Sequence, residues 1–229
     1  MFGKQKKEST TFGIVGLGRF GYALAMELAE SGAELLVIDK DEEKVRELRD
    51  ITENAFVVKN LDKKSLLETG IQNCDVAVVC IGEQMGISIL TTLHLVSIGV
   101  PTVIAKANSA EHGEILEKLG AEVVYPERDM AIRLALRLES SRILDFVQLS
   151  KKINITKMAV PDRMVGKSIM DLNLRSTLGV NIIAIENNES VMEDIRPEYE
   201  LRQNDILYIS GNEQGMLRLT EWIEKEKKA

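Results

Sequence analysis

The stretch Gly16-Leu17-Gly18-Arg19-Phe20-Gly21 decides the fold of the first half of the chain. It follows the apolar run 12–15, which is typical of a buried strand, and it opens a segment of helical periodicity. In a G-x-G-x-x-G turn the first glycine permits the tight turn, the second lets the backbone approach a phosphate, and the third lets helix and strand pack closely. The helix N-terminus adds N–H groups and a positive dipole end. The stretch therefore predicts a strand–turn–helix unit that binds a phosphate group.

Further apolar runs alternate with segments of helical periodicity through about residue 125. These runs cover residues 35–38, 55–58, 75–81, 102–106 and 122–125. Continuous apolar strands that alternate with helices are typical of a parallel sheet covered on both faces. Asp62 and the pair Asn108-Ser109 are favourable N-cap residues and mark two helix starts. We therefore predict an α/β fold whose N-terminal part is a Rossmann-like parallel sheet.

Asp39 ends the second predicted strand, about 20 residues after Gly18, where a carboxylate can bind the ribose hydroxyls of an adenosine nucleotide. This carboxylate favours an unphosphorylated 2′-hydroxyl and argues against NADP, although the neighbouring Lys40 weakens that argument. Arg19 lies at the mouth of the glycine turn, where a cation can meet the terminal phosphates of a nucleoside polyphosphate as well as those of NAD. From spacing alone, glycines used only for packing and a solvated Arg19 stay open as alternatives.

The composition limits the class of protein. The chain has 229 residues, of which 45% are hydrophobic and 28% are charged, as is typical of a globular protein. Its formal net charge of −7 argues against nucleic acid as a partner. Its longest apolar run, residues 76–81, is far shorter than the roughly 20 residues that cross a bilayer, and no apolar segment follows the basic N-terminus. Cys74 and Cys80 lack metal-site spacing, which fits a reduced compartment. We predict a cytoplasmic protein.

Candidate catalytic groups are scarce in the sequence. The only histidines are His94 and His112, and both lie in helical segments of the nucleotide-binding part, where surface or hydrogen-bonded core positions are the simpler interpretation. A hydride-transfer enzyme needs a general acid or base poised in a second domain. The sequence therefore favours a nucleotide sensor over an enzyme. An NAD-dependent oxidoreductase with a small dimerisation domain, and a degenerate scaffold that only mediates assembly, stay open as alternatives.

The pattern changes after about residue 127. Residues 129–139 carry an apolar helical stripe, and Leu136, Ile143, Leu144 and Phe146 widen that apolar surface, so this helix packs either in its own core or on a second subunit. From residue 153 onward short strand-like runs alternate with turns, and a closing helix is predicted over residues 215–225. The predicted divisions are a flexible N-terminus (1–10), a Rossmann nucleotide-binding domain (11–128), a crossover helix and hinge (129–150) and a small α+β C-terminal domain (151–229).

Several motifs resemble the cytosolic regulatory subunits of Ktr/Trk potassium-uptake systems, which carry RCK (regulator of potassium conductance) domains. In the first half they are the glycine stretch with its preceding strand, Cys80-Ile81-Gly82-Glu83, Ser88-Ile89-Leu90-Thr91-Thr92 and Pro126-Glu127-Arg128-Asp129. In the second half they include Asp171-Leu172-Asn173-Leu174-Arg175 and Asn204-Asp205-Ile206-Leu207-Tyr208. The resemblance covers residues 11–220 in order and is far more specific than the glycine stretch alone.

The resemblance implies a two-lobed subunit whose Rossmann lobe binds ATP, ADP or NAD(H) and whose C-terminal lobe assists dimerisation. It also implies homodimers that assemble into a ring, commonly an octamer, docked at the inner face of the cell membrane on a potassium transporter. Nucleotide exchange then gates the pore. Residues 129–139 would be the crossover helix that joins two Rossmann lobes.

The resemblance also assigns roles to single residues. Gly16, Gly18 and Gly21 form the phosphate turn, Asp39 binds ribose, and Arg19 reaches a terminal phosphate, in ATP-bound dimers from the neighbouring subunit. Glu127 lies near the phosphates and helps to hold a cation, Mg²⁺ or another, whereas the residues alone indicate a first-turn helix carboxylate. The other predicted nucleotide-binding residues are Phe20, Lys40, Asn60, Ile81, Gly82, Glu83 and Lys106.

Two further features follow from the resemblance. The stretch Val58-Lys59-Asn60-Leu61 departs from the family pattern by placing a lysine beside the adenine, which predicts weaker binding or a changed nucleotide preference. In Gram-positive relatives the C-terminal lobe binds cyclic di-AMP at the dimer interface. The matching residues are Ile169, Arg175, Asn181, Ile182 and Pro197. Aliphatic side chains can flank a purine, an arginine can bind phosphate and an amide can bind a base edge, although Ile169 and Ile182 also fit an ordinary core.

Overall fold

The computed structural model describes residues 10–139, 143–150, 153–188 and 190–224. They divide into two compact units at the Glu127–Arg128 bond. Most of the predicted flexible N-terminus, residues 1–9, lies outside the described residues. Within the described residues, none of the helices is both long enough and apolar enough to cross a membrane.

The N-terminal unit is built on a parallel sheet. Its strands are β1 (Thr11–Val15), β2 (Glu34–Asp39), β3 (Asn54–Val57), β4 (Val76–Val79), β5 (Thr102–Lys106) and β6 (Glu122–Val124). The helices between them are α1 (Arg19–Glu30), α2 (Glu42–Glu47), α3 (Lys63–Glu68), α4 (Met85–Ser97) and α5 (Ala110–Lys118), with a short 3₁₀ turn at Ile71–Asn73. The strand order is β3-β2-β1-β4-β5-β6, which confirms the predicted Rossmann-like sheet.

Both faces of this sheet are covered, because successive side chains of each strand point to opposite sides. Ile14 packs in a cluster with Ala25 of α1 and Val45 of α2. The next residue, Val15, packs in a second cluster that contains Leu95 of α4 and Leu116 of α5. The central strand is therefore apolar at consecutive positions because it is buried from both sides.

The register of the strands brings three strand ends to one level. Val15, the last residue of β1, lies opposite Ile38 of β2 and Val79 of β4. The strand order reverses between β1 and β4, and in open α/β sheets ligands bind outside the carboxyl ends of the strands at such a reversal. The glycine stretch therefore begins at the edge where a crevice forms.

Local capping fixes the helix starts as the sequence predicts. Asp62 accepts a hydrogen bond from the Ser65 N–H at 2.9 Å, and Ser109 accepts one from the His112 N–H at 3.1 Å. Helix α2 also begins after a capping aspartate, Asp41, and it ends at Glu47.

Helix α6 (Pro126–Glu139) begins three residues before the predicted one, because proline is favourable in a first helical turn. The expected widening of its surface by Ile143, Leu144 and Phe146 is wrong, because these residues lie in strand β7 (Ile143–Ser150). β7 pairs in antiparallel fashion with β8 (Ile153–Ala159), and this pairing favours a strand over a helix for these residues. Met130 and Leu138 in α6 are 57% and 73% exposed, so they do not belong to the core of the single chain. The side chain of Leu136 lies outside the described residues.

The C-terminal unit contains an antiparallel sheet with helices on one face. Besides β7 and β8, its strands are β9 (Val180–Asn187), β10 (Ser190–Met192) and β11 (Ile206–Gly211), in the order β10-β9-β11-β8-β7. Its helices are α7 (Ile169–Leu172), α8 (Leu174–Leu178) and α9 (Glu213–Glu224), with a 3₁₀ turn at Asp162–Met164. Leu172, Leu178 and Leu219 from the three helices share one core with Leu207 and Ile209 of β11. The predicted small α+β domain is confirmed, although α7, α8 and β10 were not predicted.

Candidate functional site

The three glycines of the turn after β1 have different surroundings. Gly16 adopts φ +99°, a left-handed conformation that favours glycine. A Cβ atom on Gly21 would lie 1.9 Å from the Gly16 carbonyl oxygen and 3.0 Å from Cys80 Cβ, so α1 packs directly on the turn and on the end of β4. A Cβ atom on Gly18 would meet no atom within 4 Å. The turn is therefore tight at Gly16 and Gly21 and open at Gly18, as a phosphate-binding turn requires.

Asp39 lies beside this turn at the end of β2. Its carboxylate accepts hydrogen bonds from the Leu17 N–H at 2.5 Å and from the Asp41 N–H at 2.9 Å. Each carboxylate oxygen has two acceptor positions, so both can also accept a ligand hydroxyl. The structure thus brings Asp39 to the glycine turn, and the adjacent Lys40 is exposed.

On the other side of β1, a nearly buried cation ends β5. The residue Lys106 is 9% exposed, and its ammonium group donates a hydrogen bond to the Glu127 carboxylate in the first turn of α6. The same ammonium lies 5.8 Å from the centroid of the Phe20 ring. Three of the predicted residues, from three separate segments, therefore meet at the carboxyl edge of the sheet.

The charge around Glu127 alters its ionisation. The hydrogen bond from Lys106 is the largest cause that lowers the pKa of Glu127, and the charge of Arg19 adds to the effect, whereas burial opposes it. Because the pKa of Glu127 is lower in the folded than in the unfolded chain, its carboxylate stabilises the fold at pH values above its unfolded pKa. This stabilisation is lost as the pH falls through the lowered, folded-state pKa. At neutral pH Glu127 is thus an anion between two cations.

We expect Lys106→Met to raise the pKa of Glu127 towards its ordinary value, because the main group that favours the carboxylate is removed. A ¹³C NMR titration of the Glu127 carboxyl group measures this shift. Glu186 is the control, because its pKa is lowered by Lys157 and Tyr208 in the other unit and should not change. An unchanged pKa of Glu127 in the variant would contradict the role of Lys106 as the main cause of the lowered pKa.

Asn108 also belongs to this edge, although the sequence indicated it only as a capping residue. Its side-chain amide donates a hydrogen bond to the carbonyl oxygen of Gly82, in the loop between β4 and α4. Gly82 is a predicted site residue, and Ile81 before it lies under the turn, 3.1 Å from the Cβ position of Gly16. A polar residue within two positions of the end of a parallel strand is the signal that could have identified Asn108.

The remaining predicted residues are on the surface. Arg19, Asn60 and Glu83 are exposed, and the Asn60 and Glu83 side chains have no hydrogen bond or ion pair among the residues that the structure describes. Lys59, which departs from the family pattern, is also exposed and follows β3, the neighbour of β2. The structure therefore brings together the residues at β1, β2, β4, β5 and α6, but it does not join Asn60 or Glu83 to them.

Neither the cysteines nor the histidines form a reactive centre. Burial raises the pKa of the Cys74 thiol to about 11 and that of Cys80 to about 12, so both stay protonated at neutral pH. His112 is wholly buried, and its Nδ1 accepts the Asn108 N–H at 3.4 Å, whereas its Nε2 has no partner in the described residues. His94 is half-buried on α4. Among the residues that the structure describes, no group of three or more metal-ligating side chains could hold a metal ion.

A pocket of about 320 Å³ lies in the C-terminal unit. It is lined by all five residues predicted for a second ligand, namely Ile169, Arg175, Asn181, Ile182 and Pro197, together with Asn173 and other residues. Arg175, Asn173 and Asn181 supply charged and amide groups to a lining that is otherwise aliphatic. A few polar groups in an apolar pocket are typical of a small-molecule site.

Hydrogen bonds of the backbone and of one buried carboxylate build the rim of this pocket. The N–H of Met170 donates to the Pro197 carbonyl oxygen at 2.9 Å, which joins α7 to the segment before β11. That segment is held by the buried Asp205, which accepts from the Tyr199 hydroxyl at 2.9 Å and from the Arg202 N–H at 2.9 Å. The rim is therefore fixed before any ligand arrives.

Comparisons with known proteins follow the same division of the chain. Residues 12–126 match the TrkA-N domain family and residues 157–224 match the TrkA-C domain family. The chain is 38% identical over 208 residues to Ktr system potassium uptake protein C of Bacillus subtilis, covering 90% of this chain and 93% of the relative. It is 34% identical over 208 residues to Ktr system potassium uptake protein A of the same organism, covering 90% and 94%.

Among solved structures, the TrkA-N domain of the inner membrane protein ybaL from Escherichia coli is 21% identical. It covers 58% of this chain and 99% of that chain, with a TM-score of 0.50, and it shares the fold of the N-terminal unit. The two domain matches and the identity to the Bacillus proteins show that the chain belongs to the family of Ktr system potassium uptake proteins, with a TrkA-N domain followed by a TrkA-C domain.

Proposed function

We propose that this chain is a cytosolic nucleotide-sensing subunit that regulates a membrane-embedded potassium transporter. The observation that carries the proposal is the nearly buried Lys106, which lies beside the open glycine turn while Asp39 lies on the turn's other side. A carboxylate for ribose and a cation for phosphate are thus separated by a phosphate-binding turn. Membership of the Ktr potassium uptake family supports potassium transport as the process that is regulated.

The ligand of the N-terminal unit is an adenosine polyphosphate, ATP or ADP, with NAD(H) as the second candidate. A ligand whose ribose is bound by Asp39 extends over the glycine turn towards β4 and β5. The groups on that side are the charged side chains of Lys106, Glu127 and Arg19. Cations suit terminal phosphates, whereas a nicotinamide ring gains more from an apolar surface.

Glu127 would hold a cation, Mg²⁺ or another, together with the nucleotide phosphates. Mg²⁺ commonly binds through one or two carboxylates plus phosphate oxygens and water. Glu127 is ionised at neutral pH and 67% of its side chain is exposed, so a hydrated cation can reach it. The phosphates would complete the coordination.

The assembly would be a homodimer that forms a ring, with eight subunits as the expected number, docked at the cytoplasmic face of the membrane on the transporter. Exposed apolar side chains along α6, including Met130, Ile132 and Leu134, support its role as the crossover helix between two subunits. Two conformations that bind ATP and ADP with different relative affinities would supply the switch, since a ligand shifts an equilibrium only by its differential affinity.

The expected result for wild-type protein is a rise of the unfolding temperature with ATP or ADP, because a ligand that binds only the folded state stabilises it. Arg19→Ala should lower the affinity for ATP by about 10-fold to 100-fold and that for AMP much less, because AMP lacks the terminal phosphates. Isothermal titration of the full chain measures both affinities. Arg49→Ala, which removes an exposed arginine after α2, is the matched control.

Two results would contradict the proposal, one from binding measurements and one from an activity assay. The sensor fails if neither ATP, ADP nor NADH stabilises folded wild-type protein. Steady consumption of NADH with a substrate, with Arg19→Ala leaving turnover intact, would instead favour the oxidoreductase.

A second ligand, cyclic di-AMP, is proposed for the C-terminal unit. The observation that favours it is the convergence of all five predicted residues on the 320 Å³ pocket. Aliphatic side chains there can cover a purine, and Arg175 can bind a phosphate.

A further inference from the structure

Asn108 lies at the carboxyl edge of the sheet, just after β5 and beside the loop that follows β4. β5 ends at Lys106, and the next residue still bonds to β6, because the Ala107 N–H donates to the Val124 carbonyl oxygen at 2.9 Å. Asn108 is thus the first residue beyond the sheet edge, directly before the N-cap Ser109 of α5. Its position lies on the side of β1 that is opposite to Asp39.

The backbone of Asn108 is held from the protein interior. Its N–H donates to Nδ1 of His112, a side chain that is wholly buried in the first turn of α5. The side chain of Asn108 then reaches across to the Gly82 carbonyl oxygen. The bond to His112 holds the backbone, and the bond to Gly82 holds the side-chain amide, so its second N–H is pre-oriented for a ligand.

The side chains of Asn108 and Lys106 lie against the same side of Gly82. A Cβ atom on Gly82 would lie 3.4 Å from Asn108 Oδ1, 3.5 Å from Asn108 Nδ2 and 3.4 Å from Lys106 Nζ. The amide and the ammonium group are therefore neighbours on one side of Gly82. The Asn108 amide has two N–H groups, and the Gly82 carbonyl takes one of them, so one donor is left for a ligand.

We infer that Asn108 is a ligand-binding residue for the polyphosphate end of the nucleotide. Asn108 and Lys106 together present donors on the β4–β5 side, where the terminal phosphates of a ligand held by Asp39 extend. The single phosphate of AMP stays at the glycine turn and does not reach them. This inference rests on the proposed nucleotide function. It adds one binding residue to that function and a preference for nucleotides with more than one phosphate.

The test compares ATP with AMP by isothermal titration of the full chain. Asn108→Ala should weaken ATP binding by about 10-fold while leaving AMP binding unchanged. Asn108→Asp should weaken ATP binding further, because a carboxylate repels phosphate, and should again spare AMP. Asn73→Ala, the same change at the exposed amino edge of β4, is the matched control, and unfolding temperatures without nucleotide check that each variant is folded.

The outcomes separate the inference from the function on which it rests. Equal losses for ATP and AMP in Asn108→Ala would mean that Asn108 only supports the loops, and unchanged ATP binding would remove it from the site; either result overturns the inference alone. Wild-type protein that binds neither nucleotide would overturn the proposed function and the inference together.

Discussion

Gly21→Ala is expected to abolish nucleotide binding and to lower the unfolding temperature of the N-terminal unit by about 10 °C or more. The added Cβ would lie 1.9 Å from the Gly16 carbonyl oxygen, and backbone at that distance cannot move aside as a flexible side chain does. Helix α1 must therefore shift away from β1, at a cost of about 3 kcal/mol or more. Thermal unfolding followed by circular dichroism, together with an ATP titration, measures both effects.

Gly18→Ala is the matched control in the same turn. A Cβ atom there meets nothing within 4 Å and the backbone has φ −68°, so the fold should tolerate the change with nearly unaltered unfolding temperature. Because the second glycine is the point where a phosphate approaches the backbone, ATP affinity should still fall. A Gly21→Ala protein with wild-type stability and affinity would contradict the packing described for α1.

Arg175→Ala is expected to weaken cyclic di-AMP binding by about 10-fold to 100-fold, because it removes the cationic group of the pocket. Hydrogen bonds from a cation to phosphate are stronger than those between neutral groups. Folding should be little affected, since Arg175 is exposed and its side chain forms no hydrogen bond within the described part of the chain. A titration of cyclic di-AMP into the full chain gives the affinity.

The control for this prediction is Lys167→Ala. Lys167 is an exposed cation of the same unit that does not line the pocket, so its removal should leave cyclic di-AMP affinity unchanged. Loss of binding in both variants, or in neither, would show that the pocket around Arg175 is not the site.

The glycine turn and Asp39 could be predicted from the sequence because their roles depend on short segments. The turn needs glycine at fixed spacings, and Asp39 lies where the next parallel strand ends. The caps at Asp62 and Ser109 are equally local, because each side chain bonds to an N–H three residues later. In these cases the local pattern contains both partners of the interaction.

Asn108 and β7 could not be predicted in this way. The partner of Asn108 is Gly82, 26 residues earlier in the chain, and only the pairing of β4 with β5 brings the two loops together. Ile143, Leu144 and Phe146 fit the apolar face of a helix as well as a strand, and the pairing with β8 decides between them. The short α7 and α8 are separated by Asn173 in the left-handed conformation, which ends one helix and starts the next within a few residues.

The most direct test of the nucleotide-sensing function is an isothermal titration of ATP and of ADP into the full chain. We expect saturable binding of both at about one site per chain, with ATP tighter than ADP because its additional phosphate can contact Arg19 and the groups at the end of β5. Folded protein that binds neither nucleotide would contradict the account.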